Sequence, residues 1–195
     1  MLEKPIQTLS SRIVYQNKWA RVREDIILRK NGREGLYGVL DKDPACIVIP
    51  LEHTPEGDFL TLVHQYRYPV EGSFYEFPQG GWEAGEDVDV EALARGELRE
   101  ETGLTAGKMT HLAANWIAYG AMKQRHHVWL AEDLTLGTAQ LEAEEEGLTV
   151  HRVSVDEFEQ MIFDGRMEDN CTLAAWATYL VWKKRISGSS SSAGS

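Results

Sequence analysis

FPQGGWEAGEDVDVEALARGELREETGL, residues 77–104, decides how the rest of the chain is read. Gly80 and Gly81 open it with a loop whose backbone can approach a ligand closely, because no Cβ stands in the way. The spacing then predicts a helix over residues 88–102, closed by Gly103 as a left-handed cap. Inside that helix Glu97, Glu100 and Glu101 stand three and four residues apart and share one face. Stacked carboxylates repel one another, so such a face gains most from a positive partner. Hard divalent cations take oxygen ligands of this kind, together with waters and substrate phosphates. An acidic helix face alone is an ordinary solvated surface. The fixed order of glycine loop, Glu86, helix and Gly103-Leu104 is what argues for a site.

Outward from this stretch, 195 residues suffice for one domain with a sizeable core. The formal charge of −11 argues against broad binding to the phosphate backbone of DNA or RNA, while it suits a site that recruits cations first. Cys46 and Cys171 lie far apart in no zinc spacing, and read as small core residues of a reducing compartment. No apolar run approaches a membrane span and the N-terminus carries no signal-like apolar segment, so a cytoplasmic, soluble protein is the expectation.

The order of residues in the opening stretch resembles the signature box of the Nudix hydrolases, G-x5-E-x7-R-E-U-x-E-E-x-G-U with U aliphatic. Gly80 and Glu86 match its first glycine and glutamate, Glu97-Leu98 the central E-U, Glu100 and Glu101 the paired glutamates, and Gly103-Leu104 its end. Two departures stand out. Nine residues, not seven, separate Glu86 from the arginine position, and that position holds Gly96. Arg95 and Arg99 are nearby, but a residue one step along a helix is turned by about 100°, and neither simply substitutes. A glycine inside a helix also costs ~1 kcal/mol relative to alanine. These departures keep a catalytically weakened nucleotide sensor as an alternative.

The resemblance implies an α/β fold, the Nudix α/β/α sandwich with a mixed sheet and an N-terminal antiparallel extension. It divides the chain into residues 1–44, a β extension that forms a homodimer in similar enzymes, 45–185, the catalytic domain, and 186–195, a flexible Ser/Gly tail. It implies Mg²⁺, or Mn²⁺ in its place, held by Glu97 and Glu101, with Glu100 as a further ligand or orienting group. The carbonyl of Gln79 or Gly80 can add to that set, and Glu86 supports the box. Arg67, in a Q-x-R context, is the candidate diphosphate clamp, and Glu76, in an E-F-P context, lies beside the site. An E-x-E in the acidic loop 141–147 falls on Glu144 and Glu146, the latter as metal ligand or water-activating base, although Glu142 and Glu145 are adjacent and the register can shift by one. Tyr119 falls where ADP-ribose hydrolases carry a proline, and is an aromatic that can stack on a base or fill core space. The implied activity is hydrolysis of the diphosphate bond of ADP-ribose or a nucleoside diphosphate sugar to a nucleoside monophosphate and a sugar phosphate. The partner is thus a small nucleoside diphosphate derivative, with neither DNA nor membrane. The Pro-Gln-Gly-Gly wording suggests a further alternative, RNA 5′-pyrophosphohydrolysis, which the acidic composition disfavours.

The remaining chain reads mainly as scaffold. Residues 11–30 alternate in two short runs, IVY and WARVREDII, as half-buried strands, and Asn31-Gly32 is a hairpin turn. CIVIPL, residues 46–51, reads as a buried central strand, and residues 59–67 as the next one. Two strands follow the box around a polar loop at 119–125. His126-His127 point to opposite strand faces and cannot readily chelate one ion. Ser154 with Glu157 marks a capping box. A last helix over 170–184 carries Leu173, Trp176, Ala177, Leu180 and Val181 at helical spacing as its core face.

Overall fold

A computed structural model describes residues 4–81, 89–137 and 147–190, with the backbone alone for 189–190. Two sheets carry the architecture. The N-terminal sheet holds β1 (Ile6–Gln16), β2 (Arg21–Arg29) and β3 (Glu34–Asp41) as an antiparallel meander. Gly32, at φ 76°, makes the expected Asn-Gly hairpin between β2 and β3. β1 begins five residues ahead of the reading, and all eleven of its residues are exposed.

The central sheet runs β11 (Thr149–Ser154), β5 (Gly57–Arg67), β4 (Ala45–Thr54), β10 (Arg125–Leu136), β8 (Leu104–Trp116). β6 (Gly72–Glu76) adds to β5, and β7 (Gln79–Gly81) adds to β4. β4 is parallel to β10 and antiparallel to β5, so the sheet is mixed as expected. The alternation of β4 splits the core in two. Ile47, Ile49 and Leu51 pack on one side with Phe77, Phe158, Trp176 and Tyr179. Cys46 and Val48 pack on the other with Leu93, Ala94 and Leu98 of the box helix.

Three helices cover these faces. α1 (Val90–Thr102) is capped by Asp89, whose carboxylate accepts from the N–H of Glu91 and Ala92, and ends at Gly103 with φ 74°. α2 (Val155–Phe163) starts at Ser154, which accepts from the Glu157 N–H at 3.1 Å. α3 (Asn170–Ser190) runs past residue 184 into the Ser/Gly segment, where Ser187 Oγ donates to the Lys183 carbonyl. Its buried face differs from the reading. Thr172, Ala175, Trp176 and Tyr179 turn inward, whereas Leu180 and Val181 are 43 % and 58 % exposed. The contiguous ring chain Phe77–Phe158–Trp176–Tyr179, stacked at its first pair, edge-to-face at the second and tilted at the third, sets that rotation, since aromatic burial outweighs two aliphatic side chains.

One small strand ties the halves together. β9 (Met122–Lys123), from the loop after β8, joins β3 in parallel and so belongs to the N-terminal sheet.

Candidate active site

The site forms where the loop after β6 crosses the C-terminal part of α1. The Gly80 backbone lies so close to the Glu97 carboxylate that a Cβ built there would stand 2.2 Å from Glu97 Oε1. A side chain there would push the Glu97 carboxylate away, so glycine is what keeps the two this close. One helical turn on, Glu101 is 2 % exposed and its Oε2 accepts from the Gln79 N–H at 3.0 Å. The helix and the glycine loop therefore bring Gly80, Glu97 and Glu101 together as the box spacing predicted. The acidic field reaches the thiol beneath: burial, then the charge of Glu97, pushes the Cys46 pKa up. Cys46 and Cys171 are both free, and burial followed by the Asp169 charge pushes Cys171 to about 12, so both are inert core groups. Glu100 faces outward and pairs with Arg99 at 2.7 Å.

The arginine missing from position 96 has no simple replacement. Arg95 is held by Glu91 at 2.8 Å and by the Ala106 carbonyl at 2.8 Å, and Arg99 is held by Glu100. A Cβ at Gly96 would make only one ordinary contact, with Glu100 Oε1 at 3.7 Å.

Arg67 and Glu76 form the next layer. Glu76 is 2 % exposed, and Arg67 grips it with two parallel bonds, Nε to Oε1 at 2.8 Å and Nη2 to Oε2 at 2.5 Å. Burial lowers the Arg67 pKa, but the Glu76 hydrogen bonds and the charges of Glu76, Glu101 and Asp169 more than reverse this, so the guanidinium stays charged. Both residues line a cleft of about 390 Å³ with Phe74, Glu168 and Asp169. The bidentate pair uses two of the five guanidinium N–H groups and leaves three for a ligand.

On the other side of the glycine loop, Gly81 pairs with Ala45 and lies beside Pro44. Pro44 also lines a second cavity, of about 360 Å³, with Trp19, Trp116, Lys42, Lys123 and Arg125. Lys18 stands 4.2 Å from the Trp19 ring centre and Arg125 4.0 Å from that of Trp116. In a chain of net charge −11 this aromatic, cationic wall is distinctive. The sequence reading missed it, because Trp19 was placed inside an alternating strand whereas it sits in the β1–β2 turn, 55 % exposed. The signal available was the Lys-Trp pair next to the Asn17 turn.

Tyr119 is 82 % exposed and lines a third hollow with Tyr37 and Trp116, on the N-terminal sheet. The structure does not bring it to the box within this chain. Glu86, Glu144 and Glu146 lie outside the described residues, as do Glu142 and Glu145. His126 and His127 point apart as read: His126 is buried, while His127 meets His111 at 3.2 Å.

A family model described as the NUDIX domain matches residues 42–175. The chain belongs to the Nudix family. A second model, described as the nucleoside diphosphate sugar hydrolase N-terminal domain, matches residues 6–40. Among curated proteins, the Nudix chain is 29 % identical over 181 residues to the ADP-ribose pyrophosphatase of Bacillus subtilis, covering 92 % of this chain and 95 % of that one. It is 28 % identical over 171 residues to the methanol dehydrogenase activator of Bacillus methanolicus, covering 87 % and 89 %. A crystal structure of an ADP compounds hydrolase superposes with a TM-score of 0.77 at 21 % identity, covering 94 % and 96 %, which shows the shared fold.

Nudix hydrolases use divalent metal ions. The residues at Gly80 fit such a group, since the side-chain-free backbone and the Glu97 carboxylate form an oxygen-lined cradle that any Cβ would fill. Among the described residues no three His, Cys, Asp or Glu side chains stand together as a complete ligand set. A cation such as Mg²⁺ needs only one or two carboxylates beside waters and phosphates.

Proposed function

We propose that this Nudix protein hydrolyses the diphosphate bond of ADP-ribose or a related nucleoside diphosphate sugar with Mg²⁺, or Mn²⁺ in its place. The observation that carries this reading is the Gly80–Glu97–Glu101 cradle, linked through Gln79 to the Arg67–Glu76 cleft and through Gly81 and Pro44 to the Trp19–Trp116 cavity. A diphosphate with a base at one end and a sugar at the other has that order of chemistry. The N-terminal match to nucleoside diphosphate sugar hydrolases and the likeness to an ADP-ribose pyrophosphatase support it.

Water adds to one phosphorus of the bridge, the P–O bond to the bridging oxygen breaks, and that oxygen leaves with the other phosphoryl group. A nucleoside monophosphate and a sugar phosphate result. The bound divalent ion supplies charge neutralisation on the phosphoryl oxygens and lowers the pKa of water. Glu97 and Glu101 hold it with the backbone oxygen of Gln79 or Gly80, and Glu100 serves as a further ligand or orienting group once it leaves Arg99. Arg67 directs its remaining N–H groups at a phosphate. Glu146, with Glu144 beside it in the acidic loop, takes the proton from water. The Trp19 and Trp116 rings face the base, and their neighbouring cations offset nucleotide charge.

The exposed residues of β1 include Ile6, Leu9, Ile13, Val14 and Tyr15, more apolar surface than a lone edge strand tolerates. A second copy of the chain covers it, which makes the protein a homodimer. Light scattering on a sizing column should give twice the 22.0 kDa chain mass, and Ile13→Lys with Tyr15→Lys should shift it to monomer. Free cysteines suit a reducing, cytoplasmic setting. Among the described residues no helix is long and apolar enough to cross a membrane.

Incubating the protein with Mg²⁺ and a panel of nucleotide sugars, with products resolved by ion-exchange chromatography, tests the activity. ADP-ribose should yield AMP and ribose phosphate. Binding without product from any member of the panel, the behaviour of a sensor with a decayed box, would overturn it.

A further inference from the structure

The Gln79 side chain is committed in a way the box spacing does not require. Its amide nitrogen donates to Glu76 Oε2 and to Asp169 Oδ2, the latter at 3.1 Å, so both amide hydrogens are used. Its backbone N–H donates to Glu101. One residue thus touches three carboxylates: one on α1, one in the Arg67 clamp, and one at the start of α3.

Asp169 is fastened in turn. Its Oδ2 accepts from the Thr172 N–H at 2.9 Å and from Thr172 Oγ1 at 2.7 Å, and its Oδ1 accepts from the Cys171 N–H at 3.2 Å. It is the N-cap of α3. Thr172 Oγ1 also accepts from the Phe77 N–H at 2.9 Å, and the Pro78 carbonyl accepts from the Val48 N–H at 2.9 Å. The segment from Glu76 to Gln79 is therefore bolted to β4, β5, α1 and α3 immediately before Gly80 meets Glu97.

We infer that Gln79, through its side chain, and Asp169 are positioning residues that set the Glu101 carboxylate and the Gly80 backbone relative to the Arg67–Glu76 clamp. The chemistry of the amide suits the task. It offers two N–H donors without positive charge, so it joins Glu76 to Asp169 and leaves the cluster negative enough to attract a cation. A lysine there would neutralise that field, and a glutamate would place another carboxylate against two existing ones. Helix capping alone explains the Thr172 and Cys171 bonds of Asp169, but not its bond to Gln79.

This inference rests on the hydrolase reading above. Its test uses the full chain and three substitutions, with kcat and KM for ADP-ribose, Mn²⁺ affinity by titration calorimetry, and the melting temperature. Gln79→Met keeps the volume and removes both donors. Asp169→Ser keeps a helix cap but is too short to reach Gln79. Asp169→Asn can keep an oxygen in the Oδ2 place. Gln79→Met and Asp169→Ser should each lower kcat and Mn²⁺ affinity about 10–100-fold, the usual cost of losing an outer support of a metal site. KM should stay within about threefold, because uniform binding is untouched, and Asp169→Asn should recover most of the loss. Wild-type kcat and Mn²⁺ affinity in Gln79→Met would overturn the inference. So would a loss in Asp169→Ser that Asp169→Asn shares in full, since charge rather than the shared oxygen would then be at work. If wild type binds Mn²⁺ without cleaving ADP-ribose, the substrate reading fails while the affinity ratios still decide the inference. If wild type binds no Mn²⁺, both fail.

Discussion

The two ends of β7, a strand of only three residues, are built in opposite ways. At Gln79 both side-chain hydrogens are committed, and the neighbouring Glu76 and Glu101 are almost fully buried. Beside Gly81, Pro44 lines a cavity with exposed indole rings and cationic side chains. Bond cleavage needs oxygens held in place before the substrate arrives, whereas recognition of a flat, charged group needs surface. Under the hydrolase activity proposed above, turnover belongs to the first end and affinity to the second.

The sharpest way to break this division is Glu101→Gln, which keeps the shape and removes the charge. It should cut kcat at least ~100-fold, as losing a ligand or its hydrogen-bonded support commonly does, with the fold intact by circular dichroism. Near-normal turnover would dissolve the distinction between the two ends. At the other end, Trp19→Ala should raise KM for ADP-ribose about tenfold and leave kcat within about threefold, since stacking on one base is worth ~1–3 kcal/mol. A fall in kcat with constant KM would place Trp19 in the chemistry instead.

A third experiment probes the support under Gly81. His126 pairs across the ladder with Ala45, which pairs with Gly81, and burial holds the His126 pKa below its ordinary range. The folded chain binds that proton less readily than the unfolded one. Its contribution to stability is therefore complete above about pH 6.5 and is lost as pH falls through the lower folded value. Melting temperature should drop on acidification across that window, and His126→Gln should flatten the drop. The smallest effect belongs to the helix. Gly96→Ala, at a position with room for a Cβ, should stabilise the fold by about 1 kcal/mol in urea unfolding.

Much of the Gln79 end was legible in the sequence, and little of the Gly81 end was. The four-residue spacing of Glu97 and Glu101 and the stop at Gly103 are local facts that a helix turns directly into a shared face, whereas Glu100 turns outward to Arg99. The E-F-P context of Glu76 marks it as lying beside the site, and Arg67 and Gln79 are the partners that hold it. Asp169 was not legible as part of the site. It lies ninety residues from Gln79, and locally it is only a residue that precedes a helix. Trp19 and Trp116 were obscured for a similar reason: each looks like an apolar member of a strand, and only the meeting of the β1–β2 turn with the end of β8 exposes both to one cavity. The inward face of α3 depends on ring packing between elements, which periodicity alone does not rank.

Strand β9 carries a consequence for anyone who would cut or recombine this protein. Leu40 and Asp41 pair with Met122 and Lys123, the Leu40 N–H donates to the Ala121 carbonyl at 2.9 Å, and Tyr37 Oη donates to the Gly120 carbonyl at 2.7 Å. The amino-terminal module is thus stitched to a distant stretch of chain, Tyr37 and Gly120 being 83 residues apart. A fragment starting at residue 42 would strip that stretch of its mate, and a chimera with a foreign leading module would need the matching 118–123 segment transplanted along with it.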